Sequence, residues 1–152
     1  MAVIWHNKQK IHRLNIAKNE ANQLVNKIRN NNSIIELSLA LLYLGEGFKN
    51  SSRTGMGNSN PLILKFFLTV MTKVFMLDVN KIGFELHLRA DQNPDKMKRY
   101  WSKQLKAPLS RFTKTSIDNR TEGKPTFPHY KGVCVINCSN VAIQRKLVYI
   151  GE

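Results

Sequence analysis

The stretch from Ile34 to Gly47, IIELSLALLYLGEG, is a short, almost wholly apolar run that ends in one carboxylate, Glu46, between Gly45 and Gly47. Ser33 followed by Glu36 has the form of a capping box and opens a helix over about 34–45. Ile34, Ile35, Leu37, Leu39, Leu41, Leu42 and Leu44 spread around all sides of that helix. A helix apolar all round must be covered all round. One side can lie on its own domain, and the other calls for a further element or a second subunit. Glu46 at the C-terminal tip faces the negative end of the helix macrodipole, where a cation is favoured instead. Two readings follow from the residues: a solvated glutamate closing the helix, or a carboxylate compensated by a divalent metal ion. The flanking glycines permit close backbone packing and the left-handed turn that ends many helices.

Upstream, residues 5–30 read as a basic amphipathic helix. Ile11, Leu14, Ala17, Ala21, Leu24 and Ile28 recur at steps of three and four, with lysines and arginines on the other faces and Glu20 as its one acid. Downstream, residues 48–60 are rich in Gly, Ser and Asn and form a short hairpin or loop. Asn60 and Pro61 then cap a helix running to about Asp78. Residues 81–89 alternate: Ile82, Phe84, Leu86 and Leu88 point one way, Lys81, Glu85, His87 and Arg89 the other, as in a half-buried strand with a charged open face. Asn93 and Pro94 open a further helix with Met97, Tyr100, Trp101 and Leu105 on one stripe. Residues 106–129, interrupted by Pro108, Gly123, Pro125 and Pro128, read as a basic loop that is mobile until it meets a polyanion. Residues 130–139 form another strand and the tail from Asn140 a last short helix. The order specifies an α+β layer, a small sheet with helices on one face and an open basic face.

With 152 residues, 42% of them apolar, the chain can bury a core. Lys and Arg number 24 against 10 Asp and Glu, a formal charge of +14, spread along the whole length. That balance calls for an anionic partner, nucleic acid before membrane. No apolar run reaches the roughly 18 residues of a membrane span and no signal peptide is visible, so no membrane partner is expected. Cys134 and Cys138 share one face of a strand and fit buried thiols better than a zinc site, since their spacing is not that of a knuckle or ribbon. Glu85 beside His87 and Arg89 fits a cross-strand ion pair, and Asp91 a supporting group.

The segment Leu39 to Gly47, LALLYLGEG, resembles the LAGLIDADG motif of homing endonucleases, with Glu46 in the place of the last acid. Leu41 stands where that motif often has glycine and Leu44 where it often has aspartate. Three more stretches are similar to a bacterial and archaeal, single-motif branch of that superfamily: Asn58 to Pro61 with the helix after it, Leu86-His87-Leu88 with Tyr100-Trp101, and His129 to Ile136. The resemblance spans roughly residues 34–140. It implies a LAGLIDADG-like α+β fold with a small antiparallel sheet and helices packed on one face, residues 33–152 as the endonuclease domain and residues 1–32 as a basic helical arm. It further implies a homodimer through the helix 34–45, double-stranded DNA as partner, and metal-dependent, site-specific hydrolysis of phosphodiester bonds. The expected metal is Mg²⁺ (or Mn²⁺), held by Glu46 with the Gly45 carbonyl. Lys49 and Lys131 are the cations expected at the scissile phosphate. Lys49, Arg53, Lys81, His87, Arg89, Arg111, Lys114, Lys131 and Asn137 are expected to contact DNA. The alternative is a LAGLIDADG-derived DNA-binding regulator or RNA-splicing helper without cleavage. The expected location is the cytoplasm, at a bacterial or archaeal nucleoid, or otherwise an organelle.

Overall fold

A computed structural model describes residues 2–49 and 52–152, with side-chain surroundings from Trp5 onward. The chain divides into two compact units, one ending at Ile35 and the other running from Glu36 to Glu152. The first unit is built on α1 (Ala2–Ile28), along which Ile11, Leu14 and Leu24 are exposed. After the turn at residues 29–31, α2 (Asn32–Glu46) begins and continues into the second unit. The expected capping box does not form. Asn31 does the capping instead: its Oδ1 accepts from the Ile34 amide at 3.2 Å, and its carbonyl accepts from Ile35 at 3.0 Å. Glu36 pairs with Lys146, 2.8 Å away.

The second unit holds a four-stranded sheet in the order β1 (Thr54–Asn58), β4 (Val133–Cys138), β2 (Ile82–Arg89), β3 (Phe112–Asp118). Three more helices complete it: α3 (Pro61–Lys73), α4 (Pro94–Leu105) and α5 (Val141–Gly151). Alternation along β2 puts Ile82, Phe84, Leu86 and Leu88 into the core, as the sequence pattern predicts. Buried with them are Cys134 and Ile136 of β4 and Met56 of β1, together with Leu39, Ala40 and Tyr43 of α2, Phe67 and Met71 of α3, Trp101 of α4 and Leu147 of α5. Asn60, Asn93 and Asn140 cap α3, α4 and α5, with Pro61 and Pro94 at the first helical positions. Burial pushes the Cys138 thiol up to about 11 and the Cys134 thiol higher still, which leaves both as inert core groups. Among the described residues no helix is long and apolar enough to cross a membrane.

The sheet is mixed, where an antiparallel one was expected. β1 and β2 both run antiparallel to β4, but β3 lies parallel to β2. The cause is α4, which carries the chain across after β2 and allows the parallel pairing that a tight turn cannot. The strand β3 itself falls inside the stretch expected to be a mobile loop. As an edge strand with only Phe112 strongly buried, its apolar alternation is too thin to show among so many polar residues. The helix expected to reach Asp78 stops at Lys73, and Asp78 instead caps a short 3₁₀ turn by accepting from Asn80 at 2.9 Å. The expected 48–60 turn is closed by Phe48 N–H donating to the Gly55 carbonyl at 2.9 Å and by a bridge between Gly47 and Met56. Asn50 and Ser51, part of that expectation, lie outside the described residues. Gly47 does not adopt the left-handed conformation. Its lack of a side chain is needed because a Cβ there would sit 2.5 Å from the Tyr43 ring.

Candidate nucleic-acid interface

Each strand has a second side, one residue out of step with the core. On β2 it carries Gly83, Glu85, His87 and Arg89; on β3, Lys114, Ser116 and Asp118; on β4, Val133, Val135 and Asn137; on β1, Gly55 and Gly57. Glycine at 57 and 83 keeps one region of this face low, whereas Gly55 is buried under the Phe48 ring, which lies 2.6 Å from where its Cβ would be. A Cβ on Gly57 would press on Val135 at 3.1 Å and one on Gly83 on the Asn137 amide at 3.0 Å.

Glu85 organises the charge on this face. Asn137 Nδ2 donates to its Oε1 at 3.0 Å, Arg53 Nη1 approaches the same oxygen at 3.3 Å, and Lys114 Nζ lies 3.7 Å from Oε2. Three expected DNA contacts, Arg53, Lys114 and Asn137, are thus gathered around one carboxylate, which is the cross-strand ion pair that the sequence suggested for Glu85. The other candidates are placed differently. His87 is exposed on the same face. Lys81 is exposed in the 3₁₀ turn before β2. Arg111 Nε donates to the Ile82 carbonyl at 3.0 Å and so ties the start of β3 to β2. Lys131 Nζ donates to the Pro128 carbonyl, and its own carbonyl accepts from Trp101 Nε1 at 2.8 Å.

Arg89 and Asp91 hold the segment 119–131, most of which falls in the stretch 106–129 expected to be mobile. Asp91 accepts from the Thr126 amide at 2.7 Å and from the Thr126 hydroxyl at 2.5 Å. Arg89 donates through Nε to Thr126 Oγ1 at 2.8 Å and through Nη2 to the Lys124 carbonyl at 3.1 Å. The Ala90 amide reaches Thr121 Oγ1 at 2.8 Å, and Gln92 Nε2 reaches the Tyr130 carbonyl at 3.0 Å. Four consecutive residues, from the last of β2 onward, therefore pin the segment. These bonds hold the Asp91 carboxyl below its ordinary range, the Thr126 hydroxyl contributing most. Arg120 does the same for Asp118 through a two-bond pairing at 2.8 and 3.2 Å. Between this segment and the ends of β2 and β3 lies a groove of about 620 Å³.

Glu46 is exposed as the last residue of α2, and Asn58 Nδ2, at the end of β1, donates to its Oε2 at 2.9 Å. Sequence reasoning did not single out Asn58 as a partner of the acid; twelve residues of separation hide a contact made by a strand end meeting a helix end. No hydrogen bond or ion pair among the described residues joins Glu46 to Lys49 or to Lys131. Lys49 is exposed and shares a shallow pocket with Arg145 and Tyr149 of α5. Around Glu46, Gly45 opens onto free space, with nothing within 4 Å of where its Cβ would be. One and two turns back on that side, Leu41 and Leu37 are 58% and 45% exposed. The helix expected to be covered all round thus buries Leu39, Ala40 and Tyr43 and leaves Leu37, Leu41 and Gly45 open in this single chain.

The described residues contain no cluster of three or more His, Cys, Asp or Glu that could hold a metal ion. One exposed carboxylate beside an accessible helix end fits a hard cation as half of a site, because Mg²⁺ takes one or two carboxylates and completes its shell with phosphate oxygens and water. Comparison of the chain with protein-family models, with curated proteins and with solved structures gives no match.

Proposed function

We propose that this protein is a LAGLIDADG-type DNA endonuclease that hydrolyses phosphodiester bonds as a homodimer. The observation that carries the reading is Glu46: an exposed carboxylate at the tip of α2, oriented by Asn58, beside an open stripe of Leu37, Leu41 and Gly45. Pairing that stripe with a second copy would cover the apolar surface and bring two glutamates together. Mg²⁺ (or Mn²⁺), when bound there by the two Glu46 side chains and the Gly45 carbonyl, supplies an activated water and neutralises charge on the phosphate. The chain's own part is to hold and position. Asn58 keeps one carboxylate oxygen in place. Lys49 and Lys131 are assigned to the scissile phosphate. Arg53, Lys114, His87, Asn137 and Lys81 provide contacts along the sheet, while Arg89 and Arg111 act chiefly by fixing the backbone that presents them. A second reading, a nuclease-derived DNA-binding regulator or RNA-splicing helper, is favoured by one observation: the Asn58 amide occupies an oxygen that a metal would use. The chain would then work at a bacterial or archaeal nucleoid, or in an organelle.

The test is cleavage of a randomised double-stranded DNA library with and without Mg²⁺, wild type beside Glu46→Gln. The substitution removes ligand charge and little shape. Metal-dependent cutting that disappears in the variant supports the endonuclease. A variant that cuts as well as the wild type sinks the assignment of Glu46, and equal retention of DNA without cutting in either protein selects the binding module.

A further inference from the structure

We propose that the groove beside the 119–131 segment is a pocket for one unstacked nucleobase of a nucleic-acid strand lying on the open sheet face. The inference rests on the nucleic-acid reading above and goes beyond it. Phe127 stands at the rim of the groove with 76% of its surface exposed. It belongs to a segment fixed by Arg89, Ala90, Asp91 and Gln92, with its neighbour Thr126 bonded twice to Asp91. With the backbone fixed, only the side-chain torsions of Phe127 remain to be ordered when something flat lies on its ring. His129 runs nearly parallel to it, 15° between planes and 6.4 Å between centroids, which extends the aromatic surface.

The surroundings specify what that flat object is. His87 and Arg89 line the groove, and the Arg120 guanidinium pairs with the one carboxylate there, Asp118. A neutral aromatic peptide would meet the ring but has no use for the chain-wide charge of +14. A nucleotide uses both: its base stacks on Phe127, and its phosphates meet the cations of the same face. His87, Ser116 and Tyr130 line the groove and carry polar groups of the kind that pair with a base edge. The volume of about 620 Å³ accepts a nucleoside and excludes a duplex. A fully paired helix would therefore have to release one base to fill it, whereas a bulge or single strand offers one already.

The experiment compares two duplexes of one sequence, one fully paired and one carrying a single bulged 2-aminopurine. Affinity is read by fluorescence anisotropy in EDTA, so that no strand is cut, and stacking by the 2-aminopurine emission. The bulged duplex is expected to bind about tenfold tighter, the value of one stacked base, with its emission quenched on binding. In Phe127→Ala the ratio of the two affinities should fall to about one and the quenching vanish, while Phe127→Trp should keep both. Equal wild-type affinity for the two duplexes, or a preference that survives Phe127→Ala, overturns the pocket while leaving the DNA-binding reading intact. Failure to bind either duplex overturns both.

Discussion

On one side of the sheet Ile82, Phe84, Leu86 and Leu88 lie with Cys134, Ile136 and Met56 in the buried core. One residue along each strand, Gly83, Glu85, His87 and Arg89 stand with Gly55, Gly57 and Asn137 on a side where charge is arranged around a single glutamate. The same backbone serves both, so the difference lies in the side chains. The covered side is specified by volume and tolerates little change in size. The open side is specified by charge balance and by Gly57 and Gly83, which keep part of it low. Substitutions on the first should register in folding stability and those on the second in affinity for a polyanion.

The hardest test of the covered side is Trp101→Ala. Trp101 is fully buried, and its Nε1 holds the Lys131 carbonyl. Removing it leaves a large cavity and an orphaned acceptor, with an expected loss of about 3–5 kcal/mol. Urea denaturation measures this directly, and a loss under about 1 kcal/mol would break the contrast between the two sides.

The glycines around Glu46 sharpen the point with a smaller effect. At Gly47 an added methyl meets three atoms of the Tyr43 ring at 2.5 Å. That ring cannot retreat: it is buried beside Phe67, its hydroxyl donates to the Phe48 carbonyl at 2.8 Å, and the Gly55 amide donates to it at 3.3 Å. Gly47→Ala should cost about 1–3 kcal/mol. Gly45→Ala, in open space within the helix, should leave stability unchanged or raise it by up to about 1 kcal/mol. A loss for Gly47→Ala with none for Gly45→Ala is the expected result in thermal unfolding, and equal losses would show that α2 is packed differently around its tip.

On the open side the expected change is in binding. Glu85→Gln keeps an acceptor for Asn137 but frees Arg53 and Lys114 from their shared carboxylate. Stability should move by less than about 1 kcal/mol, as for partly exposed ion pairs. Affinity for duplex DNA should rise several-fold at low salt, with a steeper dependence on salt concentration, because more cation faces the phosphates. Weaker DNA binding in the variant would show that Glu85 holds the cations in the right place rather than restraining them.

The covered side was largely legible in the sequence, because burial leaves periodic marks. Alternation from Ile82 to Leu88 and the caps Asn60-Pro61 and Asn93-Pro94 appear in the folded chain as read, and so does the stripe through Met97, Trp101 and Leu105, although Tyr100, read as part of it, is only half-buried. What escaped reading depends on contacts between residues far apart in the chain. The parallel pairing of β3 is one case, since an edge strand such as FTKTSID carries few apolar marks. The pinning of 119–131 is another. Its anchors, Arg89 to Gln92, lie about thirty residues away and look like an ordinary turn after a strand. At the candidate site, Glu46 was legible from its odd place at the end of an apolar helix, whereas Asn58 was not. Its role requires knowing that β1 ends beside that helix tip.

The smallest expected effect concerns the boundary between the two sides, where Asp91 holds the 119–131 segment. Hydrogen bonds from Thr126 stabilise the ionised carboxylate, so its folded pKa lies below the unfolded value of about 3.9. A group depressed in this way contributes stability that is present above the unfolded value and is lost as pH falls through the folded one. Acidification below about pH 4 should therefore loosen the segment while the covered core, which has no comparable carboxylate, stays intact. The Thr126 amide donates to Asp91 Oδ2, so its proton chemical shift reports the titration at the bond itself. Its midpoint is expected below 3.9, with resonances of 119–131 broadening together and those of Phe84 and Leu86 unmoved. Asp118, depressed by Arg120, titrates in the same direction nearby, and Asp91→Asn separates the two: it should loosen the segment at neutral pH and leave the Asp118 titration in place. A Thr126 midpoint at or above 3.9, or loosening that begins in the core strands, would mean that the segment is held by its packing and not by this carboxylate.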